Sequence, residues 1–255
     1  MSDPAGMSET TGMSDGALAA HLAQQAGRIL LTVRESGLFA GKQLGTAGDE
    51  VSNKFLLHAL AAQRPDDAVL SEEARDTLER TEASRVWIID PVDGTREYGE
   101  ARSDWAVHVG LSVDGEAKVG AVALPGLDGG IVLRSDDTAP IPAHDGPPRL
   151  LVSRTRPARE AETVARELGG ELVPMGSAGA KAMAVVRGEA DIYLHTGGQY
   201  QWDNCAPVAV AKAHGLHCSR VDGSPLVYNL PDTSLPDLLI CRPEWAERVL
   251  AIVNS

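Results

Sequence analysis

Residues 86–95, with the sequence VWIIDPVDGT, place a short apolar segment directly before two aspartates, a proline and a glycine. The β-branched and aromatic residues at 86–89 predict a buried strand, and the residues that follow are typical of a tight turn. From such a turn Asp90 and Asp93 can point at one small volume, where their charges repel unless a hard cation such as Mg²⁺ neutralises them. This segment therefore constrains both the fold and the chemistry.

Gly94 and Thr95 complete the segment and add a second function to it. Glycine permits a close approach of the backbone to a ligand, and a helix that begins near Thr95 would direct free N–H groups at a phosphate. Each residue of the segment also favours an ordinary turn. The turn alone leaves both interpretations open.

Length and charge exclude several classes of protein. A chain of 255 residues with 43% hydrophobic content fits one elaborate domain or two small ones. The net charge of −13 opposes binding to duplex nucleic acid and to anionic membranes. Three cysteines without paired spacing disfavour a zinc ribbon or a disulfide scaffold, and the apolar segments are too short to span a membrane. We expect a cytoplasmic protein with a disordered leader over residues 1–15.

The first half of the chain predicts mixed helices and strands. Residues 16–37 have helical spacing of apolar side chains, and a glycine-rich loop at 42–49 precedes a second amphipathic helix at 49–63. Asp49 then stands at an N-cap position. A short strand at 68–70 ends before Glu72 and Glu73, a pair that is usually a solvated surface charge.

The central turn is followed by a predicted hairpin and then by a second half of different character. Strands at 105–113 and 116–124 flank an Asp-Gly turn, and the Pro- and Gly-rich residues 125–149 are predicted to be loops. We therefore expect an N-terminal α+β half over residues 16–145 with the metal site, and a C-terminal α/β half over 146–255 that completes the substrate site. The second half predicts strands at 150–154, 171–174 and 190–194 and helices at 159–168, 176–188, 204–214 and 243–253.

Residues 90–95, DPVDGT, resemble the Asp-Pro-[Ile/Leu/Val]-Asp-Gly-Thr signature of the inositol monophosphatase superfamily, whose members are Mg²⁺-dependent, lithium-sensitive phosphatases. Residues 202–206, WDNCA, resemble the second motif of this family, Trp-Asp-x-[Ala/Cys/Gly]-Ala. The resemblance covers residues 18–215. It implies a mixed α and β fold, namely a layered α/β/α/β/α sandwich, often as a homodimer, with two or three Mg²⁺ ions per site.

The resemblance also implies individual roles for the acidic residues. The implied metal ligands are Glu72, Asp90, the carbonyl of Val92, Asp93 and Asp203, with Glu73 as the alternative to Glu72. Asp49 and Thr95 would position the attacking water. Residues 45–49, GTAGD, depart from the Val-Thr-x-Ala-Asp of the relatives, so Glu50 stays an alternative to Asp49.

The substrate-binding residues implied by the resemblance come from both halves of the chain. Gly94 and Thr95 would bind the phosphate, and Ser177 and Lys181 the sugar or a second phosphate. Basic residues near the site supply further candidates: Arg102, for which an ordinary surface arginine is the commoner interpretation, and the Ser153-Arg154 pair at a strand end.

The residues after the signature decide between branches of the family. Inositol phosphatases continue with a polar residue, Asn and Phe, whereas residues 96–98 are Arg, Glu and Tyr. This continuation resembles the 3′(2′),5′-bisphosphate nucleotidases, which remove the 3′-phosphate from adenosine 3′,5′-bisphosphate and its sulfated form in sulfur assimilation. We therefore predict this small phosphorylated substrate. Inositol 1-phosphate and fructose 1,6-bisphosphate are alternatives, and a catalytically silent binder of phosphorylated ligands is an alternative from another class.

Overall fold

A computed structural model of the chain describes residues 12–127, 129–155 and 157–255. The predicted leader falls outside these residues as far as residue 11, and the first helix already begins at Asp15. The helices are α1 (Asp15–Glu35), α2 (Gly41–Gln63), α3 (Thr95–Gly99), α4 (Arg159–Leu168), α5 (Ala178–Val186), α6 (Gln201–Ala213) and α7 (Pro243–Val253). No helix within the described ranges is long and apolar enough to cross a membrane.

Two five-stranded mixed sheets form the framework. The first sheet contains β1 (Ala68–Ser71), β2 (Arg85–Asp93), β3 (Ala106–Val113), β4 (Glu116–Leu124) and β5 (Ile131–Arg134), in that order. Only its β1–β2 pair is parallel. The remaining strands are β6 (Arg149–Ser153), β7 (Glu171–Met175), β8 (Ile192–His195), β9 (Gln199–Tyr200), β10 (His217–Ser219), β11 (Ser234–Leu235) and β12 (Leu238–Cys241). The second sheet has the order β10-β12-β8-β6-β7, while β9 and β11 pair separately.

Three apolar clusters show how the layers stack. Trp87 and Val109 pack with α1 and α2 on one face of the first sheet. On its other face, Ile88 and Val122 pack with α5, α6 and the inner face of the second sheet. The third cluster joins α4 and α7 to the outer face of the second sheet, around Leu239. The predicted α/β/α/β/α sandwich is therefore confirmed, while the division into halves after residue 145 stays a prediction.

The start of α2 differs from the sequence prediction. The predicted loop at 42–49 is helical, so Asp49 lies inside α2 and is not an N-cap. A Cβ on Gly45 would lie 2.7 Å from Thr95 Cγ2, and one on Gly48 would lie 2.6 Å from Tyr98 Cε1. The glycines therefore allow α2 to pack directly on α3, and this packing outweighs their low helix propensity.

Two further elements differ from prediction. Helix α6 begins at Gln201 and not at the predicted residue 204, so Asp203 lies in its first turn, where its carboxylate accepts the Tyr200 N–H at 2.6 Å. Strand β5 occupies part of the predicted loop at 125–149, because Ile131–Arg134 completes the edge of the first sheet beside β4.

A pair of glycines fixes the position of α6, the helix that carries Asp203. Gly110 of β3 and Gly120 of β4 are cross-strand partners. A Cβ on Gly120 would lie 2.3 Å from the carbonyl oxygen of Ala206, and one on Gly110 would lie 2.9 Å from the Ala206 nitrogen. Both contacts are to backbone atoms, which cannot rotate aside, so α6 lies against the sheet only because this patch has no side chains.

We predict that Gly120→Ala lowers the free energy of unfolding by about 1–3 kcal/mol, because the new methyl group overpacks the interface with α6. Gly197→Ala is the matched control, since its Cβ would meet nothing closer than 3.5 Å. Urea unfolding followed by tryptophan fluorescence compares both variants with the parent. A Gly120→Ala variant as stable as the parent would contradict the close approach of α6.

Candidate metal and phosphate site

The end of β2 presents the two aspartates of the central motif. The register between β2 and β3 shifts between Asp90 and Asp93, so β2 continues through a bulge where the sequence predicted a turn. A bulge re-aims side chains that would otherwise alternate between the two faces of the sheet. The Val92 N–H donates to Asp90 Oδ1 at 3.0 Å and holds this local geometry. A helix, α3, does begin at Thr95.

Three of the predicted metal ligands meet in one place. Asp90, Asp93 and Asp203 each offer a carboxylate oxygen, and these oxygens lie within 4.8 Å of one another. Asp90 and Asp93 are buried, and Asp203 reaches them from the first turn of α6. A set of donors made only of oxygen atoms suits Mg²⁺. The donor chemistry therefore fits the predicted ion.

Burial and mutual repulsion make ionisation of this cluster costly. Glu72 is an exposed residue beside this cluster, and desolvation of its carboxyl group followed by the charge of Asp203 raises its pKa to about 7. Burial followed by the charges of Glu72 and Asp93 raises the pKa of Asp90 well above its ordinary value. Burial and the charge of Asp93 raise the pKa of Asp203 to about 6. A divalent cation would remove this repulsion.

Asp93 is the exception, because donors surround its carboxylate. The Ser177 hydroxyl and the Gly179 N–H donate to Oδ2, the Ala178 N–H donates to Oδ1 at 3.0 Å, and His108 Nε2 lies 3.1 Å from Oδ2. Burial acts to raise the pKa of Asp93, but the charge of His108 and these hydrogen bonds outweigh it and lower the pKa to about 2. Asp93 is therefore an ionised carboxylate.

The two predicted catalytic residues also meet. The Thr95 hydroxyl lies 3.3 Å from Asp49 Oδ1 and 3.1 Å from the carbonyl oxygen of Val92. Burial and the charge of Glu73 raise the pKa of Asp49 to about 7, against the hydrogen bond from Thr95. Glu50, the alternative to Asp49, is exposed and lines a separate groove. The geometry therefore favours Asp49.

A cavity of about 540 Å³ lies beside these catalytic candidates, between α2 and α3. Asp49 and Thr95 form part of its wall, together with Lys42, Thr46 and Arg96. A substrate whose phosphate reached Asp49 and Thr95 would have room for its remaining atoms here.

Ser177 and Lys181 lie at the start of α5, and both contact protein groups. Ser177 is the N-cap, with φ of 53°, and its hydroxyl accepts the Ala180 N–H at 3.0 Å. The Lys181 ammonium donates to the carbonyl oxygens of Gly176 and Ser177, and burial lowers its pKa. These contacts fix the start of α5, and a role in binding substrate stays a prediction for both residues.

The basic candidates divide into two groups. Arg154, directly after β6, donates to Glu97 Oε1 at 2.5 Å and to Glu100 Oε2 at 3.3 Å, while its buried Nε has no hydrogen-bond partner within the described ranges. Arg102 is 40% exposed and pairs with Asp104 at 2.6 Å, as expected for a surface arginine. Ser153 ends β6 beside Arg154.

Gly94 occupies the N-cap of α3 with φ of 86°, a left-handed conformation that favours glycine. A Cβ there would lie 3.1 Å from the Cβ of Ser177. Gly94 thus keeps the start of α3 close to the start of α5.

Sequence reasoning missed one residue at this site, His108, and the partner of another, Glu97. His108 lies within an apolar strand, where a single histidine carries no motif and resembles an ordinary core residue. Glu97 belonged to the branch pattern, but its pairing with Arg154 joins positions 57 residues apart in the sequence. Contacts between distant segments leave no local signal in the chain.

The model of the inositol monophosphatase family matches residues 14–138 and 147–255. The chain belongs to this family. A fellow member from Mycobacterium leprae, named 3′-phosphoadenosine 5′-phosphate phosphatase, is 49% identical over 257 residues, which cover 95% of this chain and 94% of the relative. The 3′(2′),5′-bisphosphate nucleotidase CysQ of Escherichia coli is 29% identical, over 72% of this chain and 78% of the relative.

A solved structure shows the same fold within the inositol monophosphatase family. CysQ from Bacteroides thetaiotaomicron superposes with a TM-score of 0.74 at 22% identity, covering 89% of this chain and 97% of that one. The family resemblance of the sequence motifs is therefore confirmed, while the roles of individual residues stay predictions.

The acidic cluster of this family member predicts an unusual dependence of stability on pH. Glu72, Asp90 and Asp203 have higher pKa values in the folded state than in the unfolded chain, so the folded state binds more protons. The stability that Glu72 and Asp203 contribute to the metal-free protein is therefore full below their unfolded pKa values of about 4 and is lost as the pH rises through about 6 to 7, and the raised pKa of Asp90 acts in the same direction.

We predict that Asp90→Asn melts at a higher temperature than the parent in EDTA at about pH 8, because one repelling charge is removed. The difference should shrink as the pH falls, because the raised pKa of Asp90 favours its protonated form in the folded parent. Asp66→Asn, at an exposed position, is the control. Calorimetric scans across this range test the prediction, and an Asp90→Asn variant less stable than the parent at the upper pH would oppose it.

Proposed function

We propose that this protein is a Mg²⁺-dependent phosphatase that converts adenosine 3′,5′-bisphosphate to AMP, and its 5′-phosphosulfate analogue correspondingly. The observation that carries the proposal is the meeting of Asp90, Asp93 and Asp203, with carboxylate oxygens within 4.8 Å, beside the Asp49–Thr95 pair. The name of the relative that is 49% identical supports the substrate.

The chain offers two groups of ligands that share Asp90. Glu72, Asp90 and the Val92 carbonyl would hold one Mg²⁺, and Asp90, Asp93 and Asp203 would hold another. When bound, such ions supply Lewis-acid chemistry that neutralises the charge of a phosphate ester. Asp93 has a low pKa and is an anion, while the pKa values of Asp90 and Asp203 are raised in part by repulsion between the carboxylates. A bound cation would compensate this negative charge, which supports the assignment.

Protein groups would position the water and the phosphate. Asp49, with a pKa of about 7, is suited to accept a proton from a water molecule near neutral pH. The Thr95 hydroxyl, held between Asp49 and the Val92 carbonyl, fixes the direction of that carboxylate. Gly94, which has no Cβ, would let the phosphate approach the backbone of α3.

The second phosphate of the substrate would meet Arg154. Glu97 and Glu100 hold Nη2 of the guanidinium, and the side chain of Arg154 is still 22% exposed, so an anion could approach it from solvent. Arginine binds phosphate through several fixed donors, so a guanidinium oriented by Glu97 is suited to this role. The pairing gives a physical reason for the glutamate at position 97 in the branch pattern, whereas Tyr98 donates to the Leu30 carbonyl in the core at 2.7 Å.

We also propose, from the family resemblance alone, inhibition by lithium, a homodimer, a cytoplasmic location and a role in sulfur assimilation. Ser153, Ser177, Lys181 and Arg102 remain substrate-binding candidates on the same basis. An assay of phosphate release with millimolar lithium and chromatography with light scattering test the first two properties directly.

We predict that Asp90→Asn lowers the rate of phosphate release at saturating Mg²⁺ by at least about 10³-fold, because both ligand groups lose a shared carboxylate worth several kcal/mol. Asp66→Asn is again the matched control and should keep the rate of the parent. Near-normal turnover by Asp90→Asn would show that the two-ion assignment is wrong.

We predict that kcat/KM for adenosine 3′,5′-bisphosphate exceeds that for inositol 1-phosphate and fructose 1,6-bisphosphate by at least about tenfold, or 1.4 kcal/mol. Arg154→Met should lower it by about 10–100-fold through loss of a charged hydrogen bond, yet leave adenosine 3′-monophosphate, which lacks the second phosphate, unchanged. Arg166→Met, at an exposed arginine of α4, is the control. If inositol 1-phosphate is preferred, the substrate is wrong while the metal chemistry survives.

A further inference from the structure

His108 contacts both segments that supply the acidic cluster. It lies on β3, directly opposite Asp90, and its side chain is 0% exposed. Its Nε2 lies 3.1 Å from Asp93 Oδ2, and its Nδ1 lies 3.0 Å from the carbonyl oxygen of Trp202 in α6. Asp93 ends β2, whereas Trp202 immediately precedes Asp203. One buried ring therefore spans the gap between two metal-ligand candidates from different parts of the chain.

Both contacts of the ring are to acceptors. A carbonyl oxygen has no hydrogen to donate, and neither does the ionised carboxylate of Asp93. The Nδ1–H donates to the Trp202 carbonyl oxygen, whereas Nε2 lies 3.1 Å from Asp93 Oδ2 as a close polar contact without hydrogen-bond geometry. The two contacts lie at opposite edges of one rigid ring.

The surroundings prevent the ring from moving away. A Cβ on Gly179 would lie 2.0 Å from His108 Nε2, so the first turn of α5 closes directly over this edge of the imidazole. The Gly179 N–H in turn donates to Asp93 Oδ2. The ring, the carboxylate and the start of α5 therefore form one packed unit.

We infer that His108 is a positioning residue for Mg²⁺ binding, which sets the separation of Asp93 and Asp203 by joining the Asp93 carboxylate to the backbone of α6. The inference rests on the proposed function only in requiring that the cluster binds Mg²⁺. Asp93 and Asp203 come from separate elements, and a fixed link between them lowers the cost of arranging both around one ion. Groups that orient metal ligands in this way typically change metal affinity by about 10–100-fold when removed.

The test compares His108→Leu, which removes both contacts, with His108→Gln, whose amide nitrogen reaches about as far as Nε2 and can donate to Asp93. Magnesium dissociation constants are measured by calorimetry on proteins stripped of metal, without substrate, after circular dichroism in EDTA has verified folding. His58→Leu, at an exposed histidine of α2, is the matched control. Should His108→Leu fail to fold, His108→Asn replaces it, because its shorter amide cannot reach Asp93.

We expect His108→Leu to bind Mg²⁺ about 10–100-fold more weakly than the parent, and His108→Gln to recover at least about threefold of that loss. Binding by His108→Leu within twofold of the parent, or a glutamine variant no better than the leucine or asparagine variant, would overturn the inference. Failure of the parent itself to bind Mg²⁺ would instead refute the metal assignment of the proposed function, so the two outcomes are distinct.

Discussion

The carboxylate of Asp93 is the interaction on which the fold and the site both depend. It ends β2 in the first sheet and accepts hydrogen bonds from Ser177, Ala178 and Gly179 at the start of α5 in the middle layer. A buried charge is tolerated only when it is paired and hydrogen-bonded, and these donors provide that compensation. The same carboxylate faces Asp90 and Asp203. The carboxylate that joins the two layers through its hydrogen bonds is therefore also part of the candidate metal site. Moving this carboxylate would disturb the packing of α5 on β2.

The site is built on an imbalance among neighbouring carboxyl groups. Asp93 is stabilised as an anion by its donors, whereas burial and repulsion raise the pKa values of Glu72, Asp90 and Asp203. A cation can bind such a group only when the ligands are deprotonated, so metal affinity and proton release are linked. Gly110 and Gly120 let α6, the helix that carries Asp203, approach the first sheet closely. Backbone packing and electrostatics thus act on the same few side chains.

The sequence predicted those parts of the structure that depend on local patterns. The buried strand before Asp90, the hairpin across Asp114 and the helix Pro243–Val253 were all confirmed, and a helix begins at Thr95, as the phosphate-binding interpretation of the turn requires. Features that depend on contacts between distant segments were missed. The helical conformation of residues 41–48 follows from packing against Thr95 and Tyr98, and the contacts of His108 with Asp93 and Trp202 exist only after folding. Lys181 was predicted from resemblance as a substrate contact, and the structure adds its bonds to backbone carbonyls.

The central claim is that these carboxylates bind divalent cations around Asp90, and anomalous diffraction from crystals soaked in Mn²⁺, a heavier substitute for Mg²⁺, tests it most directly. The account predicts two anomalous peaks about 3.5–4 Å apart, both in contact with the Asp90 carboxylate. One peak should also contact Glu72 and the Val92 carbonyl, and the other Asp93 and Asp203. Saturating Mn²⁺ that leaves no peak at Asp90, or binds only to carboxylates elsewhere on the surface, would contradict the account.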